Sequence, residues 1–268
     1  MPRRTRVRTD LSRHAYFDWP GPLAFAHRGF TPEGLENSMV AFSAAVELGY
    51  RYLETDVRAT RDGVPVTFHD GTLDRVTDRT GRIAEQPWVE VRKARIGGIE
   101  PVTRLEDVLD AWPDVRLNID VKDAAAVAPV ARAIDRTGAH DRVCIASFSD
   151  RRRRDVLRRL AAPVATSGGR LTVASFRVAA GAAALARFVA RTLQQVDCLQ
   201  VPERLGPIPV VTAGTVTAAH AAGKHIHVWT VNDEAAMHRL LDRGVDGLIT
   251  DRADLLREVM RTRGVWTG

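Results

Sequence analysis

Glu54 and Asp56 flank a single threonine inside the apolar run Tyr52 to Val57, which reads as a β-strand. Side chains alternate along a strand, so both carboxylates share one face. Like charges placed this way repel, and burying them is costly unless a cation joins them. The alternative is an exposed strand end paired with arginines. Asn118-Ile119-Asp120-Val121-Lys122 repeats the pattern, with its polar residues on one face and its apolar residues on the other. Asp120 would add a third carboxylate, completing an all-oxygen site that suits Mg2+ or Ca2+ better than Zn2+. Lys122 would then face a ligand's negative charge or simply neutralise Asp120.

Two histidines stand at similar places: His27-Arg28 closes one strand-like run and His69-Asp70 another. Imidazole titrates near neutrality, so of two such rings one can accept a proton while the other donates. Arg28 offers a rigid fork for two phosphate oxygens. Of the other histidines, His14 falls in the N-terminal stretch, and His140, His220 and His238 read as helix or loop surface. His225 and His227 alternate onto the same face as Trp229. Inward-facing barrel polarity accounts for both, with a part for His227 in the site left open.

These groups share one requirement: each must lie at or near the C-terminal end of a strand of one sheet. From Leu23 onward the chain supplies that rhythm, short apolar strands alternating with helical segments, the signature of a parallel α/β fold. The strands are Leu23 to His27, Tyr52 to Val57 with the extended run Val64 to His69, Arg116 to Lys122, Val143 to Phe148, Val164 to Ser167, Cys198 to Val201, Ile226 to Val231 and Gly247 to Thr250. Helices are expected from Leu35 to Leu48, stopped by Gly49, from Leu105 to Trp112, and from Ala253 to about Arg261. Counting Tyr52 to His69 as one unit gives eight strands, and eight parallel units close into a TIM (β/α)8 barrel with its reacting groups at the C-terminal mouth. A doubly wound open sheet is the competing topology. It is disfavoured because no Gly-rich dinucleotide fingerprint follows the first strand. Residues 71–101, rich in Gly, Pro and charge, read as a small insertion after the second strand. The barrel is expected over 23–262, between a basic leader at 1–22 and a short tail at 263–268.

A chain of 268 residues, 45% of them hydrophobic, is long enough for one such barrel. The net charge of +6 raises nucleic acid as a partner. Its sources are a leader bearing Arg3, Arg4, Arg6, Arg8 and Arg13, and a helix bearing Arg151 to Arg154 with Arg158 and Arg159. A basic tail and a solvated helix face account for both, and no aromatic-basic interleaving supports nucleic-acid binding. Cys144 and Cys198 sit in apolar strands and read as reduced core thiols. The leader lacks the apolar stretch of a secretory signal, and Val178 to Ala190 is too short to span a bilayer. A cytoplasmic protein without stable membrane insertion is expected; the sequence is silent on oligomeric state.

The ordered set of short motifs resembles the glycerophosphodiester phosphodiesterase family, among the phosphatidylinositol-phospholipase-C-like TIM-barrel phosphodiesterases. The motifs are Ala26-His27-Arg28-Gly29, Glu36-Asn37-Ser38, Glu54-Thr55-Asp56-Val57, His69-Asp70, the run Pro101 to Val108, Asn118 to Lys122, Val228 to Asn232 and Gly244 to Asp251. Together they span roughly residues 23 to 255. The resemblance implies hydrolysis of a small glycerophosphodiester to glycerol 3-phosphate and a free alcohol such as choline or ethanolamine. It implies His27 and His69 as the acid-base pair, and Glu54, Asp56 and Asp120 as ligands of one divalent ion, Mg2+ or Ca2+, with Mn2+ also suited. Arg28 and Lys122 would grip the phosphate, Trp229 would wall the glycerol pocket, and the insertion would cap the mouth.

One departure bears on the metal. The family usually carries glutamate where this chain has Asp120, a carboxylate one methylene shorter. Ser38 for the common threonine is a smaller change. Two rival readings follow. A lysophospholipase D or sphingomyelinase D-like enzyme would use similar residues on lipid head groups; glycerophosphocholine against lysophosphatidylcholine separates it. A catalytically weakened phosphate-binding barrel would bind glycerol 3-phosphate but release none.

Overall fold

Eight parallel strands wind around one axis: β1 (Leu23–His27), β2 (Tyr52–Ala59), β3 (Arg116–Val121), β4 (Val143–Ala146), β5 (Ala165–Thr166), β6 (Cys198–Pro202), β7 (His225–Trp229) and β8 (Gly247–Thr250). The computed structural model describes residues 14–179 and 186–268. Hydrogen-bonded ladders join β6, β7, β8, β1, β2, β3, β4 and β5 in that order. A parallel bridge between Ser167 and Cys198 brings β5 back to β6 and closes the ring. Helices α1 (Met39–Glu47), α2 (Leu105–Ala111), α3 (Val127–Thr137), α4 (Asp150–Leu157), α5 (Arg170–Ala179), α6 (Ala186–Thr192), α7 (Ala213–Ala221), α8 (Glu234–Asp242) and α9 (Ala253–Thr262) fill the connections and the C-terminal end. This is the expected TIM barrel rather than an open sheet. Among the described residues no helix is long and apolar enough to cross a membrane.

Strand alternation sorts the side chains. On β1, Ala24 and Ala26 pack outward against the helices, while Leu23 and Phe25 point into the barrel. On β3, Leu117, Ile119 and Val121 join the outer core, leaving Asn118 and Asp120 facing inward. The inward set changes character along the axis. At the N-terminal end it is apolar, built from Leu23, Phe25, Tyr52, Cys144, Cys198 and Ile249. Toward the C-terminal end it becomes charged. The cysteines are free, buried and 4.0 Å apart sulfur to sulfur, as reduced core thiols should be.

Three expectations need correction. The leader assigned to 1–22 lies outside the described residues up to 13, but its last part belongs to the barrel. A single 3-10 turn, Ala15–Phe17, plugs the N-terminal mouth: Tyr16 and Phe17 are buried, Phe17 stacks on His225 at 4.5 Å, and the Tyr52 hydroxyl donates to the Tyr16 carbonyl at 2.6 Å. The first helix begins at Met39, not Leu35. Ser38 caps it by accepting from the Ala41 N–H, and residues before the cap turn toward the barrel mouth. The arginine-rich helix α4 is not uniformly solvated either. Arg153 is 1% exposed, donating from Nη1 to the Gln195 carbonyl at 2.9 Å, so one member of the run is a buried strut between α4 and the loop before β6.

The run Val64 to His69 is not part of the parallel ring. Its central residues, Pro65–Thr67, fold back antiparallel to the end of β2 and pair on the other side with Thr103–Arg104. Residues 71–101 build a small apolar cluster of their own, in which Leu73, Ile83, Val91 and Ile96 pack with Leu35, Val66 and Phe68. At the other end, Trp266 of the expected tail packs edge-on against Tyr50, with ring centroids 5.1 Å apart.

Candidate active site

A cleft of about 570 Å3 opens at the C-terminal end of the barrel. His27, Arg28, Glu54, Asp56, His69, Asp120, Lys122 and Trp229, the eight residues singled out in the sequence, all line it. Register explains why. His27 pairs across the sheet with Glu54, Glu54 with Asn118, and Asp56 with Asp120, so the polar positions of three adjacent strands fall at neighbouring heights. Level with Glu54, Asn118 and Gln200 exchange amide hydrogen bonds across the barrel at 3.0 and 3.3 Å, and both line the cleft. His227 lies deeper, against Phe25 at 5.0 Å, and is not in the cleft.

The turn after β1 is built for close approach. Arg28 and Asn37 both adopt left-handed backbone conformations, with φ of 58° and 59°. Gly29 follows at φ 87°, and a Cβ there would stand 2.6 Å from the Ala41 backbone, so only glycine fits. The Arg28 N–H donates to the Glu54 carbonyl at 2.9 Å. Asn37 ties the loop to β2: its Oδ1 accepts from the Thr55 hydroxyl at 2.7 Å, and its Nδ2 donates to Asp56 Oδ2 at 3.2 Å.

The charges form a connected network. Asp56 has cations on both oxygens, with Arg28 Nε 2.9 Å from Oδ2 and Lys122 Nζ 2.7 Å from Oδ1. Burial works against its charge, but Lys122 and Arg28 outweigh it and hold the carboxyl below its ordinary range. Lys122 also reaches Asp120 Oδ2 at 2.7 Å. Its ammonium therefore bridges two carboxylates, the neutralising arrangement of the two foreseen for it, and one of its three N–H donors is left over. Asp120 Oδ1 is buried without a hydrogen-bond partner, and burial raises the Asp120 pKa against the pull of Lys122. Glu54 is the least compensated: burial and then Asp56 push it up from an ordinary 4.5 to about 7.

Both histidines are fixed through Nδ1. His27 Nδ1 lies 2.6 Å from Asp251 Oδ1, and its Nε2 is 3.7 Å from Glu54 Oε2. Burial depresses the ring's pKa, but Glu54 and the Asp251 hydrogen bond reverse this, and the net shift is upward. His69 Nδ1 lies 2.6 Å from Asp70 Oδ1. It is not carried by a barrel strand but delivered by the folded-back arm, where Arg58 Nε holds the His69 carbonyl at 2.8 Å. Asp70 is pinned by Arg75, which also reaches Glu36 at 2.7 Å, and Glu36 accepts from Arg28 at 2.9 Å. Trp229 stands edge-on to Phe148 at 5.8 Å and forms one side of the mouth. Asp251, Glu36, Asn37, Asp70, Arg75 and Gln200 were not foreseen as site residues. Most lie in the short motifs quoted above, but in loops whose destination only closure of the barrel reveals.

Among the described residues, no three His, Cys, Asp or Glu side chains already stand in a metal-binding array. The donor chemistry nevertheless fits a hard cation. Glu54, Asp56 and Asp120 are all carboxylates; one oxygen of Asp120 is buried without a partner, and burial together with Asp56 raises Glu54 to about 7 in the absence of further positive charge. The arrangement can move protons at two fixed imidazoles and hold an anion beside Arg28 and Lys122.

A closed parallel barrel with two fixed imidazoles and a charged floor at its C-terminal mouth has the layout in which barrel enzymes place their active sites. Residues 27–255 match the Glycerophosphoryl diester phosphodiesterase family. The chain is 49% identical over 249 residues to the probable glycerophosphodiester phosphodiesterase 2 of Mycobacterium tuberculosis, covering 92% of this chain and 94% of that one. It is 30% identical to a glycerophosphodiester phosphodiesterase of Caldanaerobacter subterraneus, covering 90% and 99%. The fold is shared with a putative glycerophosphoryl diester phosphodiesterase from Silicibacter pomeroyi (TM-score 0.78, 22% identity, 95% and 100% covered). It is also shared with an Oleispira antarctica phosphodiesterase in complex with the product sn-glycerol-3-phosphate (TM-score 0.73, 21% identity, 90% and 97% covered). The chain belongs to the glycerophosphoryl diester phosphodiesterase family and is an enzyme of that class.

Proposed function

We propose that the protein hydrolyses glycerophosphodiesters to glycerol 3-phosphate and an alcohol, using His27 and His69 for proton transfer and one divalent cation held by Glu54, Asp56 and Asp120. The observation that carries this reading is the orientation of His27. Asp251, ionised and held below its ordinary range, takes the Nδ1 proton, so Nε2 is the nitrogen left to the cleft. His69 is held the same way by Asp70, whose carboxyl is lowered to about 2 chiefly by Arg75.

The geometry is compatible with the following roles. Arg28 and the remaining donor of Lys122 bind the phosphate oxygens and orient the diester above the floor. One imidazole takes the proton of the attacking hydroxyl, and the other gives a proton to the departing alcohol oxygen. A neighbouring glycerol hydroxyl is the favoured nucleophile over water, since it is already tethered to the phosphorus. Its attack expels the alcohol and leaves a cyclic glycerol phosphate, which water then opens to glycerol 3-phosphate with the two imidazoles exchanging roles. Trp229 walls the glycerol side and limits access of bulk water. The cation, Mg2+, Ca2+ or Mn2+, would withdraw charge from phosphorus and steady the phosphate oxygens.

The test is a coupled assay for glycerol 3-phosphate, run on several diesters with each ion and with EDTA. Release that requires a divalent ion and disappears in His27→Ala, with folding intact, is the expected result. Release that survives EDTA would remove the cation from the scheme, and an unchanged rate in His27→Ala would remove the histidine.

A further inference from the structure

The cleft is larger than its charged floor, and its outer wall has a different chemistry. Helix α5 presents Arg170, Val173, Ala174 and Arg177 to the cleft, spaced i, i+3, i+4 and i+7, so they form one face. Opposite them the wall is apolar, with Pro202, Leu205 and Val210. Every carboxylate lining the cleft, namely Glu54, Asp56 and Asp120, belongs to the floor. Among the described residues, neither Arg170 nor Arg177 is paired with a carboxylate; Arg170 instead lies over the Phe148 ring at 4.7 Å. That stacking holds the guanidinium against the wall with its N–H groups open to solvent and to a ligand.

Arg170 is exposed and Arg177 half-buried. Two guanidiniums on one wall of the cleft, paired with no carboxylate among the described residues, form a receptor for anions. They stand about 10.5 Å apart along the helix. The Phe148 ring under Arg170 also lies 5.6 Å from Lys122 Nζ, so Arg170 borders the floor where Arg28 and Lys122 would hold the scissile phosphate. Arg177 lies two turns further along the wall. Resting on the diesterase reading above, the geometry points to a second anion subsite, formed by Arg170 and Arg177, that takes a phosphate group carried by the departing alcohol. The preferred substrate class is then a glycerophosphodiester of a phosphorylated polyol. Choline or ethanolamine would place a cation against two arginines.

The matched probes are sn-glycero-3-phosphoinositol and its 4-phosphate, with inositol and inositol 4-phosphate as the departing alcohols. Calorimetric titration should show inositol 4-phosphate binding on the order of tenfold or more tighter than inositol, the range expected for charge-assisted hydrogen bonds. The same preference should appear in kcat/KM for the two diesters, carried by KM, and should shrink as salt is raised. Arg170→Gln/Arg177→Gln, with its fold checked by circular dichroism, should bring both ratios close to one. Equal binding of the two alcohols, or a preference that persists in the double variant, would overturn the subsite. So would an equal loss with both diesters, which would put the arginines on the scissile phosphate. Selective binding of inositol 4-phosphate without hydrolysis of either diester would overturn the diesterase reading and leave the subsite standing.

Discussion

His27 Nδ1 and Asp251 Oδ1 are 2.6 Å apart although 224 positions separate them in the chain. β1 and β8 are neighbours in the barrel, and the loop after β8 returns Asp251 to the end of β1. Asn232, from the loop after β7, secures the carboxylate: its Nδ2 donates to Asp251 Oδ2 at 2.7 Å, and its Oδ1 accepts from the Asp251 N–H at 2.9 Å. Three consecutive strand ends thus cooperate to hold one imidazole. The tautomer this selects, Nδ1–H toward Asp251, is the one that frees Nε2 for the substrate.

Asp251→Asn keeps the shape and removes the charge. The His27 pKa should fall, because Asp251 is one of the groups that raise it, and turnover should drop by roughly 10- to 1000-fold with little change in KM. An NMR titration of the His27 ring alongside steady-state kinetics checks both. A raised histidine pKa contributes stability that is complete below the unfolded-state value and fades as pH rises through the folded one. Asp251→Asn should therefore lose more stability at pH 5 than at pH 8; an equal loss at both would mean that the charge is not what holds the ring.

Glu54 makes a second prediction in pH. With its pKa pushed up to about 7, the cation-free protein holds a proton there that the unfolded chain gives up at 4.5. Its contribution to stability is therefore complete below 4.5 and fades as pH rises through about 7, where the bare carboxylate must ionise. A cation ligated by Glu54 must displace that proton. Divalent-ion affinity should rise roughly tenfold per pH unit between about pH 5 and 7 and level off above. Glu54→Gln should weaken binding and flatten the profile. A pH-independent Kd in the wild-type protein would exclude Glu54 as a ligand.

Much of this site was legible in the sequence because strand periodicity is local. Glu54-Thr55-Asp56 and Asn118-Ile119-Asp120 declare their shared faces within a few residues, whatever the rest of the chain does. Asp251 and Glu36 could be seen as parts of motifs but not as partners of His27 and Arg28, since those contacts exist only once distant strands pair. Arg153 was misread for a related reason. Arg151 and Arg154 are exposed, and only the position of the Gln195 carbonyl makes the Arg153 side chain an interior strut. The Tyr16–Phe17 plug was hidden by the arginines before it, which gave the whole stretch the look of a tail. Residues 71–101 looked like an irregular excursion because their apolar cluster is completed from outside them, by Leu35, Val66, Phe68 and Val102.

Asp120→Glu tests what the shorter carboxylate does. Its Oδ1 is buried without a partner and Lys122 holds its Oδ2, so the side chain is retracted against the ammonium. One added methylene gives the carboxylate a longer reach from the strand into the cleft that it lines with Glu54 and Asp56. The variant should bind a divalent ion more tightly, by roughly tenfold, and retain turnover. Calorimetry with Mg2+, Ca2+ and Mn2+ on both proteins measures this. Unchanged affinity for all three would show that Asp120 does not contact the ion.

Phe17 tests the barrel rather than its chemistry. It is 3% exposed and stacked on His225 with an interplanar angle of 19°, at the mouth opposite the cleft. Truncation to alanine removes its ring from a packed interior that has little room to collapse, because the walls are strands held in register on both sides. Phe17→Ala should cost about 3–5 kcal/mol of unfolding free energy, read from the urea midpoint at unchanged slope. Phe17 does not line the cleft, so the folded variant should keep its kcat and KM within about twofold at temperatures well below its Tm. A loss under 1 kcal/mol would mean that the turn is a loose cover. A large fall in kcat with stability intact would couple the N-terminal plug to the site through the floor of the barrel.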